Sequence, residues 1–348
     1  MDSRQQQLET WLAMRLPEAA FTLTPASADA SFRRYFRVHL QSEYLIENVA
    51  YRTLIAMDAP PLQEDCTPFI HVAQLLLKAG LNVPQIVAHN IKEGFLLLTD
   101  LGDVTYLSQL NKDSAPGLYL EAIKALVKLQ VSSEESVLPN YDAALLSREM
   151  QLFPDWYITK HLKVTLDDKE LATLISAFEL LNQNILAQAQ VYVHRDYHSR
   201  NLMVCNAATG FDASQNPGVL DFQDAVYGAI TYDLVSLLKD AYIEWDEEEI
   251  IDWAVRYWQE AKKAKLPVPA DFSTFYRDFE YMGAQRHLKI LGIFARLYHR
   301  DGKDGYLKDM PLVMHYLRKV CQRYIELKPM LRLLDKLENT HLQIAYTF

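Results

Sequence analysis

The chain has little that would mark it at once as belonging to a special class. Its 348 residues include only three cysteines, Cys66, Cys205 and Cys321, far apart and odd in number. There is no CxxC and no Cys/His cluster with metal spacing, which argues against a zinc site. Three reduced and mostly buried thiols in a reducing compartment fit better. Positive charge is also scarce: 35 Lys and Arg stand against 45 Asp and Glu, a net charge of −10. Such a chain is a poor partner for nucleic acid or an anionic membrane surface, where basic patches are needed. No apolar run reaches the length of a membrane span. The N-terminus lacks the basic stretch and apolar core of a secretory signal. Repeats and low-complexity tracts are absent. The expectation is a cytoplasmic protein with no nucleic-acid and no membrane partner. What is present is a half-hydrophobic composition, ample for a large core in one domain or two lobes.

The pattern along the chain predicts an α+β protein. An amphipathic helix opens it, with Leu8, Trp11, Leu12 and Leu16 on one side and Pro17 as the stop. Strand-like runs follow at Phe32 to Leu40 and in "YRTLIAMDAPP", ended by two prolines. A helix with Ile70, Ala73, Leu76 and Leu77 at helical spacing comes next, then a buried strand in "GFLLLTDLG" that turns at Gly102. Beyond it the character becomes helical. "KELATLISAFELLNQNILAQAQ" puts Leu171, Leu174, Ile175, Phe178 and Leu181 on one face, and helices fill the remainder from about Tyr232. The expected division is a small antiparallel-sheet lobe over residues 1–99 and a mostly helical lobe over 100–348.

One stretch carries chemistry. In "VYVHRDYHSRNLMV" an Asp and, five residues on, an Asn lie on a loop between two strand-like runs. Asp196 can accept a proton from an alcohol, and Asn201 can offer its amide oxygen to a hard cation such as Mg²⁺. "VLDFQDA" then places Asp221 at the end of another apolar run as a second oxygen ligand. Phosphates would supply the remaining ligands. Phosphoryl transfer needs such a set, because its transition state spreads negative charge and is served by positioning and neutralisation. His194-Arg195-Asp196…Asn201 followed by Asp221-Phe222-Gln223 matches the kinase order His-Arg-Asp, Asn, Asp-Phe-Gly in all but the last position. A lone His-Arg-Asp arises by chance; the force lies in order, spacing and strand context together.

With these residues in view, "VHRDYHSRNLMV…GVLDFQDAVYGAITYDLVSLLKD" resembles the aminoglycoside phosphotransferase family, whose members have the two-lobed protein-kinase-like fold. The blocks "ASADASFRRYFRV", "MDAPP", "EDCTPF", "FLLLTDLG", "FPDWY" and "QRHLKILGIFARLYHRDGK" are similar to the branch of bacterial anomeric kinases that act on N-acetylmuramate and N-acetylglucosamine in cell-wall recycling. The resemblance implies ATP and Mg²⁺ as cofactors and a small sugar as substrate. It implies Asp196 as general base, Asn201 and Asp221 as metal ligands, and Asp233 as a brace accepting backbone hydrogen bonds from the catalytic loop. His194 and His198 become structural supports of that loop. The backbone of Leu98, Thr99 and Asp100 would receive the adenine. Other acceptors taken by the same fold (an aminoglycoside, choline, homoserine) and a nucleotide-binding scaffold without turnover are the alternatives.

The chain departs from the kinase pattern in two places. The third-strand lysine that pairs ATP phosphates is replaced at the matching position by Met57. Strand alternation puts Arg34 on one face with Phe36 and Val38. If Phe36 covers the adenine, Arg34 lies towards the phosphates and takes the lysine's place; otherwise Arg33 and Arg34 are solvated strand residues. The phosphate loop "SADAS" has no glycine and would have to use serine hydroxyls and backbone N–H groups. For the acceptor, Arg286, Lys289, Arg296 and Arg300 share a helical stripe that suits an anion such as a lactyl carboxylate; the alternative is a solvated or acid-paired stripe. Trp156 and Tyr157 offer an aromatic floor for a sugar, or else are core.

Overall fold

The computed structural model describes residues 3–17, 19–28, 32–46, 49–205 and 215–345. By contacts the chain divides into two compact units, residues 1–109 with 201–224, and residues 110–200 with 225–348. A single cut at 99/100 therefore misses two pieces of the sheet unit. Residues 100–109 and 201–224 join it because short strands tie them there: Thr105 bridges to Met203, and Asn82 to Gly218.

The sheet unit is built on five antiparallel strands in the order β1-β2-β3-β5-β4. They are β1 (Phe21–Ala28), β2 (Arg34–Ile46), β3 (Val49–Asp58), β4 (Ile86–Asn90) and β5 (Phe95–Thr99). Helix α1 (Ser3–Arg15) covers one face of the sheet with the residues its periodicity predicts: Leu8, Trp11 and Leu12, joined by Leu16, are all buried. They pack on Phe36 and Val38 of β2, Leu54 and Ala56 of β3, and Phe95 and Leu97 of β5. Helix α2 (Thr67–Lys78) buries Phe69, Val72, Ala73 and Leu76. The predicted face is thus turned towards Phe69 and Val72, and Leu77 is left exposed. Phe69 meets Phe222, the aromatic of the Asp-Phe-Gln segment, at 4.8 Å between ring centres. After β5 the chain turns at Gly102 in the left-handed region, φ +88°, where glycine is favoured.

The helical unit contains α4 (Ala115–Val131), α5 (Ala143–Met150), α6 (Asp168–Ala187), α7 (Tyr232–Leu238), α8 (Glu247–Lys263), α9 (Phe272–Asp301), α10 (Met310–Arg323) and α11 (Lys328–Ala345). A two-stranded ribbon of β6 (Gln190–Val193) and β9 (Val226–Ala229) lies among them. The short α3 (Tyr106–Gln109) and the pair β7 (Leu202–Met203) and β8 (Gly218–Val219) belong to the sheet unit. α6 starts with a capping box between Asp167 and Glu170. Its buried face is Leu174, Ala177, Phe178, Leu181 and Ile185, whereas Leu171 and Ile175 of the predicted face are exposed. α9 is capped at its start by the Asp271 carboxylate, which accepts from Thr274 N, and stops at Gly302 with φ +68°. The segment Phe153–Leu162 winds as a π-helix, a form rare enough that periodicity does not anticipate it. Among the described residues no helix is long and apolar enough to cross a membrane.

Candidate active site

The loop bearing Asp196 leaves the apolar strand β6 at Val193 and is pinned from below by one buried carboxylate. Asp233, in the first turn of α7, accepts from His194 N at 2.7 Å through Oδ2 and from Arg195 N at 3.0 Å through Oδ1. Burial pushes Asp233 up to about 7, against the two amides, which favour the carboxylate. Arg195 is held at φ +77°, a strained conformation for a side chain other than glycine, and the brace is what holds it there. His194 is buried; its Nδ1 accepts from Asp196 N at 3.3 Å, and its ring meets Tyr197 edge-on. The loop's far end is tied by Asp240, whose Oδ2 accepts from both the amide and the hydroxyl of Ser199.

Three buried or half-buried cations surround Asp196. Arg286 donates to Arg195 O at 2.9 Å and to the Tyr232 hydroxyl at 3.2 Å, and its Nη2 lies 3.9 Å from Asp196 Oδ1. Lys289 donates to the Tyr232 hydroxyl at 3.0 Å and pairs with Glu149 at 3.0 Å. Arg195 pairs with the same Glu149, which also accepts from the Tyr141 hydroxyl. Burial would raise Glu149, but Lys289 and Arg195 hold it below the usual carboxylate range. For Asp196 too, burial works upwards, and Lys289 and then Arg286 outweigh it, so its pKa is lowered to about 2. The Asp196 side chain keeps 41 % of its surface accessible, so the carboxylate is both ionised and reachable.

Arg286 and Lys289 are therefore not a solvent-facing stripe waiting for an anion. They are 4 % and 6 % exposed and bond to the loop, to Tyr232 and to Glu149. α9 turns this side inward because the loop supplies the carbonyl and carboxylate that a buried cation requires. Of the same stripe, Arg300 pairs with its neighbour Asp301. Glu149, Tyr232 and Asp240 escaped the sequence reading; they come from α5, α7 and the turn after α7, and no local spacing links them to the loop.

In the sheet unit Asn201 and Asp221 come together as expected. β7 pairs with β8, Leu220 N donates to Asn201 O at 2.9 Å, and Asn201 Nδ2 lies 3.3 Å from Asp221 Oδ2. Asp221 has φ +62°. Gln223, at the position where kinases have glycine, donates from Nε2 to Asp221 Oδ1 at 2.9 Å and so orients the carboxylate. The Asn201 amide oxygen and the Asp221 carboxylate are hard donors of the kind Mg²⁺ takes from protein, one or two at a time, beside phosphate oxygens. The residues fit the ion.

The nucleotide-side expectations fare unevenly. Arg34, Phe36 and Val38 do share a face, but it is the face that α1 covers, so Phe36 is core beneath the helix and not an adenine cover. Arg34 is drawn to Asp58, its partner across the ladder, donating from Nε at 3.1 Å; Arg4 of α1 donates to the other oxygen of Asp58 at 2.8 Å. Asp58 is fully buried, and two guanidiniums are what make its burial tolerable. Arg33 lies 3.8 Å from Glu64. Met57 is buried on the opposite face, and the cation that β2 places there is Arg37, since Tyr35 pairs with Met57 and Arg37 with Ile55. Arg37 donates to Asp100 Oδ2 at 2.7 Å and to Gly102 O at 2.9 Å. In the segment expected to take adenine, Leu98 has strand partners on both sides and Thr99 N already donates to Gln85 O, which leaves the Asp100 backbone. Asp29–Ser31 of the phosphate loop lie outside the described residues.

On the acceptor side, Tyr157 is part of a buried column, stacked between Phe153 at 5.1 Å and His161 at 5.7 Å. It lines a cavity of about 470 Å³ with His161, Met310, Met314 and Arg318. Trp156, beside it on the π-helix, is half-buried and does not line that cavity. The His198 ring meets Tyr242 edge-on at 5.5 Å, and its Nδ1 is buried without a hydrogen-bond partner.

Comparison with known proteins gives the family and the fold. A family model described as "Phosphotransferase enzyme family" matches residues 22–268. An N-acetylmuramate/N-acetylglucosamine kinase of Pseudomonas aeruginosa is 46 % identical over 346 residues, covering 97 % of each chain. A kinase of the same name from Neisseria meningitidis serogroup B is 45 % identical over 350 residues, covering 99 % of each. The crystal structure of an ADP-bound aminoglycoside phosphotransferase superposes with a TM-score of 0.57 over 92 % of this chain and 99 % of that one, at 14 % identity, which speaks to the protein-kinase-like fold.

Proposed function

The chain belongs to the phosphotransferase enzyme family, and from that premise we propose that it is an ATP-dependent kinase placing a phosphoryl group on the anomeric hydroxyl of N-acetylmuramate or N-acetylglucosamine. The observation that carries the reading is the setting of Asp196: a reachable carboxylate, kept ionised by Lys289 and Arg286, on a loop that Asp233 holds by two backbone amides. Asp196 orients the sugar hydroxyl and takes its proton as the oxygen attacks phosphorus. An anomeric hydroxyl is more acidic than an ordinary alcohol, so a carboxylate with so low a pKa is still an adequate acceptor as the proton comes loose. Asn201 and Asp221 would hold Mg²⁺, which would neutralise phosphate oxygens. Gln223 keeps Asp221 turned for that purpose. The product is a sugar 1-phosphate.

Arg37 is the cation we assign to the phosphates in place of the missing lysine, because it stands on the face of Met57 and is fixed at the end of β5. Incubation with ATP, Mg²⁺ and N-acetylmuramate, followed by phosphorus NMR of the product, tests the reading: an anomeric phosphate is expected. Turnover confined to an aminoglycoside, choline or homoserine in a parallel acceptor panel would retain the kinase and overturn the sugar.

A further inference from the structure

Beside the residues that brace the catalytic loop, the helical unit holds a second group of side chains that bracing does not use. Arg200, at the end of the loop, lies with its guanidinium carbon 3.5 Å from the centre of the Tyr242 ring. Tyr242 touches His198 edge-on and Phe294 at 6.3 Å, and Phe294 meets Tyr306 at 5.1 Å. Tyr242 and Tyr306 are half-buried, while Arg200 is exposed. Two polar atoms of this group, His198 Nδ1 and Asp309 Oδ2, are buried and without a hydrogen-bond partner. Burial lowers the His198 pKa, which favours the neutral ring. Asp240 is occupied by Ser199 and by the amide of Tyr242, while Arg200 acts on Asp309 through its charge.

Half-buried aromatic faces next to unsatisfied polar atoms make a surface for a ring with an apolar face and polar rim, which describes a sugar. The unusual member is Arg200. The other loop-side cations, Arg195, Arg286 and Lys289, are spent on Glu149, Tyr232 and the loop itself. Arg200 makes no ion pair among the described residues, and its planar group is laid on Tyr242. Stacking restrains the long side chain in advance, which lowers the entropy cost of receiving a carboxylate in a forked contact.

We propose that Arg200, stacked on Tyr242, recognises the lactyl carboxylate of N-acetylmuramate and thereby sets the preference between that sugar and N-acetylglucosamine, which lacks the acid. This rests on the sugar-kinase reading above. The lactyl ether is carried on the ring carbon two removed from the anomeric one, so its recognition site has to stand near the base without coinciding with it. Arg200 suits this requirement: it is four residues past Asp196, and it and His198 both contact the Tyr242 ring.

The test compares kcat/KM of the wild type, Arg200→Gln and Arg200→Lys on N-acetylmuramate, its methyl ester and N-acetylglucosamine. Arg200→Gln is expected to lower the ratio of N-acetylmuramate to N-acetylglucosamine by about tenfold or more, the scale of a lost charge-assisted contact. Arg200→Lys should recover part of it. The wild type should disfavour the ester against the acid by a similar factor, and Arg200→Gln should treat acid and ester alike. A ratio within about twofold of the wild type's, or a preference for acid over ester that survives Arg200→Gln, overturns the proposal. Failure of the kinase reading looks different: the wild type would transfer phosphate to neither sugar. Titration calorimetry with the same three sugars reads the Arg200 contrast without turnover.

Discussion

Asp196 carries its charge in the company of cations, and this decides its pH behaviour. With a pKa near 2 it is ionised throughout the physiological range, so it should contribute no acid limb to kcat/KM above about pH 4. The sign for stability follows: the folded pKa lies below the unfolded one, so the contribution is present above about pH 4 and fades as pH falls towards 2. Solvent screening at this accessible side chain keeps it small. A pH–rate profile checks the first point, and Arg286→Gln should move any acid limb upwards. Asp196→Asn should lower kcat by about 10²–10⁴-fold with little change in nucleotide affinity; equal loss of both would count against its role as base. Among the sheet cations the structure reverses an expectation. Arg34→Ala should leave the KM for ATP unchanged and cost about 1–3 kcal/mol in denaturant unfolding, because buried Asp58 loses one of two partners. Arg37→Gln should raise the KM for ATP, since Arg37 stands on Met57's face. Identical effects of the two substitutions on KM would remove Arg37 from the nucleotide site.

At the scale of elements, α9 is what brings chemistry and packing together. One side of it sends Arg286 and Lys289 to the loop, while another lies against the π-helix. Gly292 permits that second approach: a Cβ there would sit 2.4 Å from the backbone carbon of Leu152. Gly292→Ala should cost about 1–3 kcal/mol through overpacking, measured as a lower denaturant midpoint; an unchanged midpoint would mean that the π-helix start shifts freely. Periodicity located α1, α2, α6 and α9 well because a helix must bury a stripe. It could not fix which neighbouring position faces inward. In α6, Leu171 and Ile175 fit the spacing, yet the surface on offer takes Ala177 and Ile185 instead.

For the molecule as a whole, the division of the chain follows contacts rather than sequence order. Residues 201–224 return to the sheet unit through β7 and β8, so a boundary read from composition alone cannot find them. The three thiols obey the same logic of burial. Cys66 and Cys205 in the sheet unit are both pushed up to about 11, and Cys321 in the helical unit to about 12, by burial in each case. All three are free. Titration with a thiol reagent should find almost none reactive in the native protein and three after denaturation. A fast-reacting native thiol would show local opening around it.

The sequence by itself determined the family and, through it, the class of reaction. Asp196, Asn201 and Asp221 are legible because their spacing is set by covalent chain length between short apolar strands, and that spacing survives any detail of packing. It also determined the alternation of sheet-rich and helical character, since periodicity is local. Only the tertiary structure decided what the cations do. Arg34 went to Asp58, Arg37 to Asp100, Arg286 to the Asp196 loop and Lys289 to Glu149. A buried charge settles on whichever partner long-range packing brings within reach, and no local pattern in the chain encodes that choice.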